Sequence, residues 1–291
     1  MDANELLKKV RKIEIKSKAL SQNIFAGEYH SAFKGRGMMF AEVREYQYGD
    51  DIRDIDWNVT ARHNHPFVKV YEEERELTLM LLIDVSGSRD FGAVGESKRD
   101  MIAEIAATLA FSASQNNDKI GAIFFSDKIE KFIPPKKGKK HILLIIRELL
   151  EFEPQSRGTD IGLAAKYLAD ALKRRCSAFI ISDFIDGHDY SQPLTIARSR
   201  HEVMAVQVYD VRDSKLPSVG LMRVQDLESG ELRWIDTSSS KTRKAYDRWW
   251  YGRQRAMADT LKSCRVNFAS VTTSEDYVKA LLSLFRNKTQ S

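Results

Sequence analysis

Two apolar runs of the chain each end at an acidic residue. Residues 76–83 are almost entirely apolar and lead into Asp84, and residues 176–182 lead in the same way into Asp183. Runs of this length without polar alternation are typical of strands that are buried on both faces, as in parallel sheets. The pattern therefore predicts two interior strands, each with a carboxylate at its carboxyl end.

From residue 76 onward, strand patterns alternate with helical patterns. The predicted strands are 76–83, 119–126, 128–133 as a hairpin partner, 176–182, 202–209 and 266–271. The predicted helices are 101–113, 139–152, 159–174, 190–200, 239–263 and 274–287, the last with Ser274 as its N-cap. Such alternation predicts an α/β fold, a doubly wound and mostly parallel sheet with helices on both faces. Residues 221–236 are predicted to form a hairpin insertion within it.

The amino-terminal quarter has a different pattern. Residues 1–20 predict a basic amphipathic helix with a stripe of Leu6, Val10, Ile13 and Leu20. Residues 35–75 are charge-dense and are expected to be irregular, and residues 21–75 as a whole are predicted to form an elaboration on the sheet domain of residues 76–291. We expect the basic helix to dock through its stripe, because it has no aromatic residue to anchor it on a membrane surface.

Composition narrows the class of protein. The chain has 291 residues, 43% of them hydrophobic, and a net charge of +5 from 46 basic and 41 acidic side chains. That charge is too mild to require nucleic acid as a partner. No apolar run is long enough to span a membrane, and residues 1–5 lack the apolar core of a secretion signal. The only cysteines, Cys176 and Cys264, are expected to be buried thiols, which favours the cytoplasm.

Hydroxyl groups accompany both acidic strand ends. Asp84 is followed by Ser86 and Ser88, and Thr159 stands at the start of a predicted helix shortly before the strand that ends at Asp183. Neighbouring parallel strands end at the same edge of a sheet, where open α/β sheets bind ligands. These five side chains would converge there on one hard, oxygen-liking cation. Asp-x-Ser-x-Ser alone is a weak signal, because either serine could instead cap a turn.

Two sets of motifs resemble known families. Asp84-x-Ser86-x-Ser88 with Thr159 and Asp183 resembles the metal-ion-dependent adhesion site of von Willebrand factor A-type domains. The segment before it resembles the hallmark region of the domain of unknown function 58 family, which carries such a domain. Its motifs in that segment are Gly35-Arg36-Gly37, residues 43–57 from Val43 to Trp57, Ala61-Arg62 and residues 70–75. The resemblance also includes Asp236-Thr237 before the long predicted helix and Thr272-x-x-x-x-Tyr277 near the end of the chain.

The resemblance implies a function. Ser86 and Ser88 would bind Mg²⁺ or another divalent cation (Mn²⁺, Ca²⁺) directly, Thr159 directly or through water, and Asp84 and Asp183 would orient the shell. A partner protein would supply an Asp or Glu carboxylate to the open position. Arg89 departs from the family pattern, in which a methionine or small residue is expected, and we expect it, with Arg157, to favour acidic neighbours beside the site. The resemblance further implies a cytoplasmic adaptor that is not an enzyme and works with a MoxR-type AAA+ ATPase in protein maturation or assembly.

Two other functions stay open. Asp50, Asp51, Asp54 and Asp56, with His63 and His65 nearby, are the ligand types of a metal-dependent phosphohydrolase or nuclease. Matched arginines in the same segment favour a structural or partner-docking role, in which we include Arg44, Arg53, Asp54 and Asp56. The aromatic and basic residues of 241–255 would suit an RNA-binding module, although an outer helix has the same pattern. Phosphate-binding loops, nucleophile elbows and dinucleotide-binding glycine fingerprints are absent from the sequence.

Overall fold

The two apolar runs form neighbouring strands at the centre of a six-stranded sheet. The computed structural model describes residues 3–21, 38–63, 65–73, 77–90, 92–93, 96–225 and 232–289. Strand β3 (Thr78–Asp84) pairs in parallel with β8 (Ser177–Ser182), with Ile83 opposite Ile181. Every residue of β8, and every residue of β3 after Thr78, is buried. The absence of polar alternation therefore does correspond to strands covered on both faces.

The remaining elements follow in chain order. The strands are β1 (Met38–Glu45), β2 (Phe67–Glu73), β4 (Gly92–Ala93), β5 (Glu96–Ser97), β6 (Lys119–Phe125), β7 (Ile129–Lys136), β9 (Glu202–Tyr209), β10 (Leu221–Gln225), β11 (Leu232–Asp236) and β12 (Asn267–Thr272). The helices are α1 (Ala3–Leu20), α2 (Trp57–His63), α3 (Lys98–Gln115), α4 (Lys139–Glu151), α5 (Ile161–Ala171), α6 (Ser191–Arg200), α7 (Val211–Ser214), α8 (Ser240–Ser263) and α9 (Tyr277–Thr289). Short 3₁₀ turns lie at Ile52–Asp54 and Gly87–Asp90.

The strand order of the large sheet is β12-β9-β8-β3-β6-β7. All neighbours are parallel except β7, which returns antiparallel along β6 at one edge. The chain moves from β3 to β6 on one side and then resumes with β8 on the other side. The carboxyl end of β3 is consequently a switch point, the position at which ligand crevices open in doubly wound sheets.

Helices cover both faces of this sheet. On one face, Met80 and Leu82 belong to a buried cluster that includes residues of α5, α6 and α8. On the other face, Phe179 makes an edge contact with Phe285 of α9, and α3 packs against β3. Helix α1 packs on α3 and α4, with Leu6 and Ile13 buried. Both cysteines are free and buried, as expected.

Residues 33–77 form a second compact unit of their own. Within it β1 and β2 pair antiparallel, with a register shift between Phe40 and Glu42. The expectation of irregular structure was therefore wrong for much of this segment. Both strands mix apolar with charged residues, so that neither shows the long apolar run by which the buried strands were predicted.

Two helix starts also differ from expectation. Helix α5 begins at Ile161 rather than at 159, with Asp160 accepting a hydrogen bond from the Leu163 N–H at 2.7 Å. Helix α9 begins at Tyr277, so Ser274 is not its N-cap. The predicted hairpin forms between β10 and β11, although its turn at 226–231 lies outside the described residues, as do Gly35, Arg36 and Gly37.

Candidate metal centre

The loop after β3 is organised around Asp84. Its Oδ1 accepts a hydrogen bond from the Ser86 N–H at 2.9 Å, which turns the chain so that the hydroxyls of Ser86 and Ser88 lie 3.2 Å apart. Asp84 and Ser86 are buried. A carboxylate that accepts a backbone N–H two residues later stabilises a tight turn, so the motif spacing has a local structural cause.

The other carboxylate oxygen of Asp84 is held by the neighbouring strand. Ser182 Oγ donates to Asp84 Oδ2 at 2.6 Å, and the same hydroxyl accepts the Phe184 N–H at 2.9 Å. Phe184 has a φ of 58°, the left-handed region that few residues other than glycine adopt. The turn after β8 is thereby fixed, and both oxygens of Asp84 have hydrogen-bond donors within the protein.

Asp183 is held by three further groups. Its Oδ1 accepts the Ile185 N–H at 3.0 Å, its Oδ2 accepts from Lys98 Nζ at 3.1 Å, and its carbonyl accepts from Gln207 Nε2 at 3.1 Å. Lys98, the first residue of α3, also lies 2.7 Å from Asp213 Oδ2. An ammonium and three carboxylates, those of Asp84, Asp183 and Asp213, therefore meet at this edge of the sheet.

Burial and neighbouring charges shift the pKa values of two of these groups. Burial, followed by the nearby charge of Asp183, raises the pKa of Asp84 to about 6. Burial opposes the positive charge of Lys98, but the carboxylates of Asp183 and Asp213 outweigh it and raise the pKa of Lys98 above its usual value. Lys98 thus stays an ammonium ion in the interior.

Thr159 contributes an unpaired hydroxyl. The residue is 3% exposed, and its Oγ1 has no hydrogen-bond partner among the residues that the structure describes. Its segment is tied to the serine loop, because the Gly87 N–H donates to the Arg157 carbonyl at 3.1 Å. A buried hydroxyl without a partner is unfavourable by about 1–3 kcal/mol. Neutral hydroxyl oxygens beside fixed carboxylates are a donor set that suits a divalent cation.

A second acidic cluster lies next to Thr159. Ligand atoms of Asp160, Asp186 and His188 all lie within 4.8 Å of one another. Asp186 Oδ2 accepts the Ile161 N–H at 2.8 Å, and its Oδ1 accepts the His188 N–H at 2.8 Å. The hydrogen bond between His188 Nδ1 and Asp186 Oδ1, followed by the negative charge of Asp186, raises the pKa of His188. Asp160 caps α5, so each acid of this cluster already has a role in holding the loops together.

The predicted partner-binding residues fall in both compact units of the chain. Arg157 is exposed, and the side chain of Arg89 lies outside the described residues. In the separate unit of residues 33–77, Arg44 forms a two-pronged pair with Asp50 at 2.7 and 2.8 Å, the kind of fork that the sequence predicts. Asp51 accepts the Arg53 N–H, and Asp56 caps α2 and lies 3.6 Å from Lys69. Asp54 ends the 3₁₀ turn.

Sequence reasoning missed three residues that contact the site. Ser182 donates to Asp84, Lys98 pairs with Asp183, and Asp213 pairs with Lys98. Ser182 had a usable signal, since it immediately precedes an acidic strand end beside β3. Lys98 and Asp213 had none, because a lysine at a helix start and an aspartate after a strand are ordinary surface residues in sequence. Binding of a metal by the five predicted residues stays a prediction.

The sheet order and the site define the class of fold. It is an α/β fold of the von Willebrand factor A-like type, with the loop after β3 at the switch point. One solved structure with a similar fold is an aerotolerance-related membrane protein from Bacteroides fragilis NCTC 9343. It is 16% identical, covers 74% of this chain and 98% of its own, and superposes with a TM-score of 0.50.

Residues 42–256 match the family described as "Protein of unknown function DUF58", and the chain belongs to that family. Uncharacterized protein Rv1480 of Mycobacterium tuberculosis is 32% identical over 280 residues, which are 96% of this chain and 88% of that protein. Uncharacterized protein YeaD of Bacillus subtilis is 28% identical over 109 residues, 38% of this chain and 25% of that protein. Among the described residues, no helix is both long and apolar enough to cross a membrane.

Proposed function

We propose that this protein is a non-enzymatic adaptor that binds a partner protein through a divalent cation. Ser86, Ser88 and Thr159 would hold Mg²⁺ or a similar ion with neutral oxygens, while Asp84 and Asp183 orient the shell. A shell with little direct negative charge leaves the cation attractive to an external carboxylate. The partner would supply that carboxylate from an Asp or Glu.

One observation carries this proposal. The hydroxyl of Thr159 is buried and unpaired among the described residues, and its segment is hydrogen-bonded to the serine loop after β3 through the Gly87 N–H and the Arg157 carbonyl. Buried polar groups almost always have partners, so an orphaned hydroxyl needs an explanation. A cation held jointly with Ser86 and Ser88 supplies one, because it would take up the oxygen's free lone pairs.

Thermal unfolding with and without Mg²⁺ tests the metal site. An ion that binds only the folded state raises the melting temperature by mass action. The rise should disappear in the double variant Ser86→Ala/Ser88→Ala and persist in Ser199→Ala, an exposed serine of α6 whose hydroxyl bonds the Ile196 carbonyl. An equal rise in the double variant would remove both serines from the site.

The proposed partner is a MoxR-type AAA+ ATPase, and the proposed setting is protein maturation or assembly in the cytoplasm. The support is the family resemblance, together with two buried free thiols that suit a reducing compartment. Affinity capture from cell extract, in Mg²⁺ and in chelator, would identify the partner. Recovery of an ATPase of this type only in Mg²⁺ supports the proposal, and its recovery in both buffers would mean that another surface binds it.

The alternatives receive less support from the contacts. Asp50, Asp51 and Asp56 are each occupied by local N–H groups or by Arg44, which leaves little of a two-metal hydrolase site. In α8, Trp250 is buried, and the hydroxyl of Tyr246 donates to the Asp213 carbonyl at 2.7 Å. Only part of its aromatic set, including the exposed Tyr251, could therefore stack on RNA bases.

A further inference from the structure

Lys98 is buried between two carboxylates at the edge of the candidate metal centre. Its side chain is 2% exposed, and its Nζ lies 3.1 Å from Asp183 Oδ2 and 2.7 Å from Asp213 Oδ2. An ammonium in the protein interior is tolerated only when paired and hydrogen-bonded, since its desolvation costs several kcal/mol. The two acids meet that requirement, so the three charges form one network.

This network includes Asp183, one of the two acids that would orient the ligands of the metal. Asp183 already accepts the Ile185 N–H at its Oδ1, and Lys98 takes its Oδ2. The negative charge of Asp183 is thereby compensated within the protein. A divalent cation at Ser86 and Ser88 would therefore meet a less negative site than it would without the ammonium of Lys98.

Asp213 adds negative charge near the site, which opposes the effect of Lys98, and it is held by further hydrogen bonds. Its Oδ2 also accepts the Asp210 N–H at 3.0 Å, within the capping box of α7. Its carbonyl accepts the Tyr246 hydroxyl of α8, so its position is fixed from two directions. The acid keeps Lys98 in place and offsets part of its charge.

We propose that Lys98 is a positioning residue and built-in counter-charge that keeps the affinity of the free protein for divalent cations low. The consequence is that the ion is held firmly only when an acidic partner adds its own carboxylate, which couples metal binding to partner binding. This inference rests on the proposed function, because it assigns Lys98 a role toward the same ion.

Titration of the purified chain with Mn²⁺ alone tests the inference. Removing the ammonium in Lys98→Met should tighten Mn²⁺ binding about tenfold, and removing the carboxylate in Asp213→Asn should weaken it by a similar factor. The double variant restores the balance of charge and should bind close to wild type. Lys166→Met, which removes an exposed lysine of α5, is the matched charge control and should change little.

The directions in which the Mn²⁺ affinities change distinguish an effect of charge from damage to the fold. Lys98→Met leaves two acids without their cation and will lower the melting temperature, but damage alone would weaken Mn²⁺ binding in both single variants and more so in the double variant. Binding that is unchanged or weaker in Lys98→Met overturns the role of Lys98. If Mn²⁺ binding in Lys98→Met survives Ser86→Ala/Ser88→Ala, or no variant binds Mn²⁺ saturably, the proposed metal site itself fails and the inference with it.

Discussion

Ser182 at the end of β8 donates a 2.6 Å hydrogen bond to the buried carboxylate of Asp84 at the end of β3. The bond joins the two strands at the switch point, where the direction in which the chain adds strands to the sheet reverses. It also fixes the rotamer of Asp84 at the centre of the site. Bonds to a charged acceptor are shorter and stronger than those between neutral groups. Ser182 is not part of the predicted metal-binding motif, but it holds the carboxylate of Asp84 on which the geometry of that motif depends.

Ser182→Ala is expected to destabilise the protein by about 1–3 kcal/mol, because it leaves Asp84 Oδ2 buried without that donor. Denaturant unfolding at neutral pH measures the change. Ser177→Ala is the matched control, since Ser177 is also buried and lies at the opposite end of the same strand. A loss of the same size in both variants would mean that burial of the strand, rather than the bond to Asp84, is responsible.

Thr159→Val should separate stability from metal binding. The substitution keeps the shape of the side chain and removes a hydroxyl that has no partner, so the metal-free protein should be unchanged or slightly more stable. The stabilisation by Mg²⁺ should fall sharply, because one oxygen ligand is gone. Melting curves with and without Mg²⁺ check both statements. A clear loss of stability in chelator would show that the hydroxyl has a structural role instead.

Partner binding should depend on the cation and only modestly on the basic turn before α4, which contains Lys136 and Lys137. We expect binding to be lost in EDTA, in Asp84→Ala and in Asp183→Ala, and to weaken slightly in Lys137→Ala. Arg157→Ala should slow association at low salt, because an exposed charge mainly affects encounter. Titration of the captured partner in Mg²⁺ and in EDTA measures this. Equal affinity in both buffers would place the interaction on another surface.

The ion pair between Asp210 and Arg212 leads us to expect that the stability of the fold depends on pH. The Arg212 guanidinium holds the pKa of Asp210 well below its usual range, with further hydrogen bonds from the Arg212 N–H and Thr273 Oγ1. A lowered pKa in the folded state stabilises the fold above the unfolded pKa, and this contribution is lost as the pH falls through the folded value. Asp210→Asn should therefore cost about 1–2 kcal/mol at pH 7 and less at pH 3. A constant difference across that range would contradict the assignment.

The purified protein should show no phosphodiesterase, phosphatase or nucleoside triphosphatase turnover. The Arg44 guanidinium that pairs with Asp50 is already its counter-ion, so a metal would have to displace it. Assays with Mg²⁺ and Mn²⁺ on standard phosphoesters test this. Activity that disappears in Asp54→Asn or Asp56→Asn would replace the adaptor proposal with a hydrolase.

The sequence predicts those features of the structure that depend on neighbouring residues in the chain, and not those that depend on contacts between distant ones. The runs ending at Asp84 and Asp183 predict their strands correctly, because complete burial leaves a continuous apolar pattern. Strands β1 and β2 were not predicted because their apolar residues are interrupted by charged ones within a charge-dense segment. The contact of Lys98 with Asp213 could not be predicted, since it joins residues far apart in the chain through a fold that neither residue encodes.

The parts of the candidate centre come from the ends of β3 and β8, the loop before α5, the start of α3, and α7, which span residues 84–213. No fragment of the chain contains them all in place before the central strands have paired, and pairing of distant strands is the slow part of folding. A bound ion would thus select chains whose sheet is complete over partly assembled ones. Only molecules whose folding is complete would then be able to bind the metal and the partner protein together.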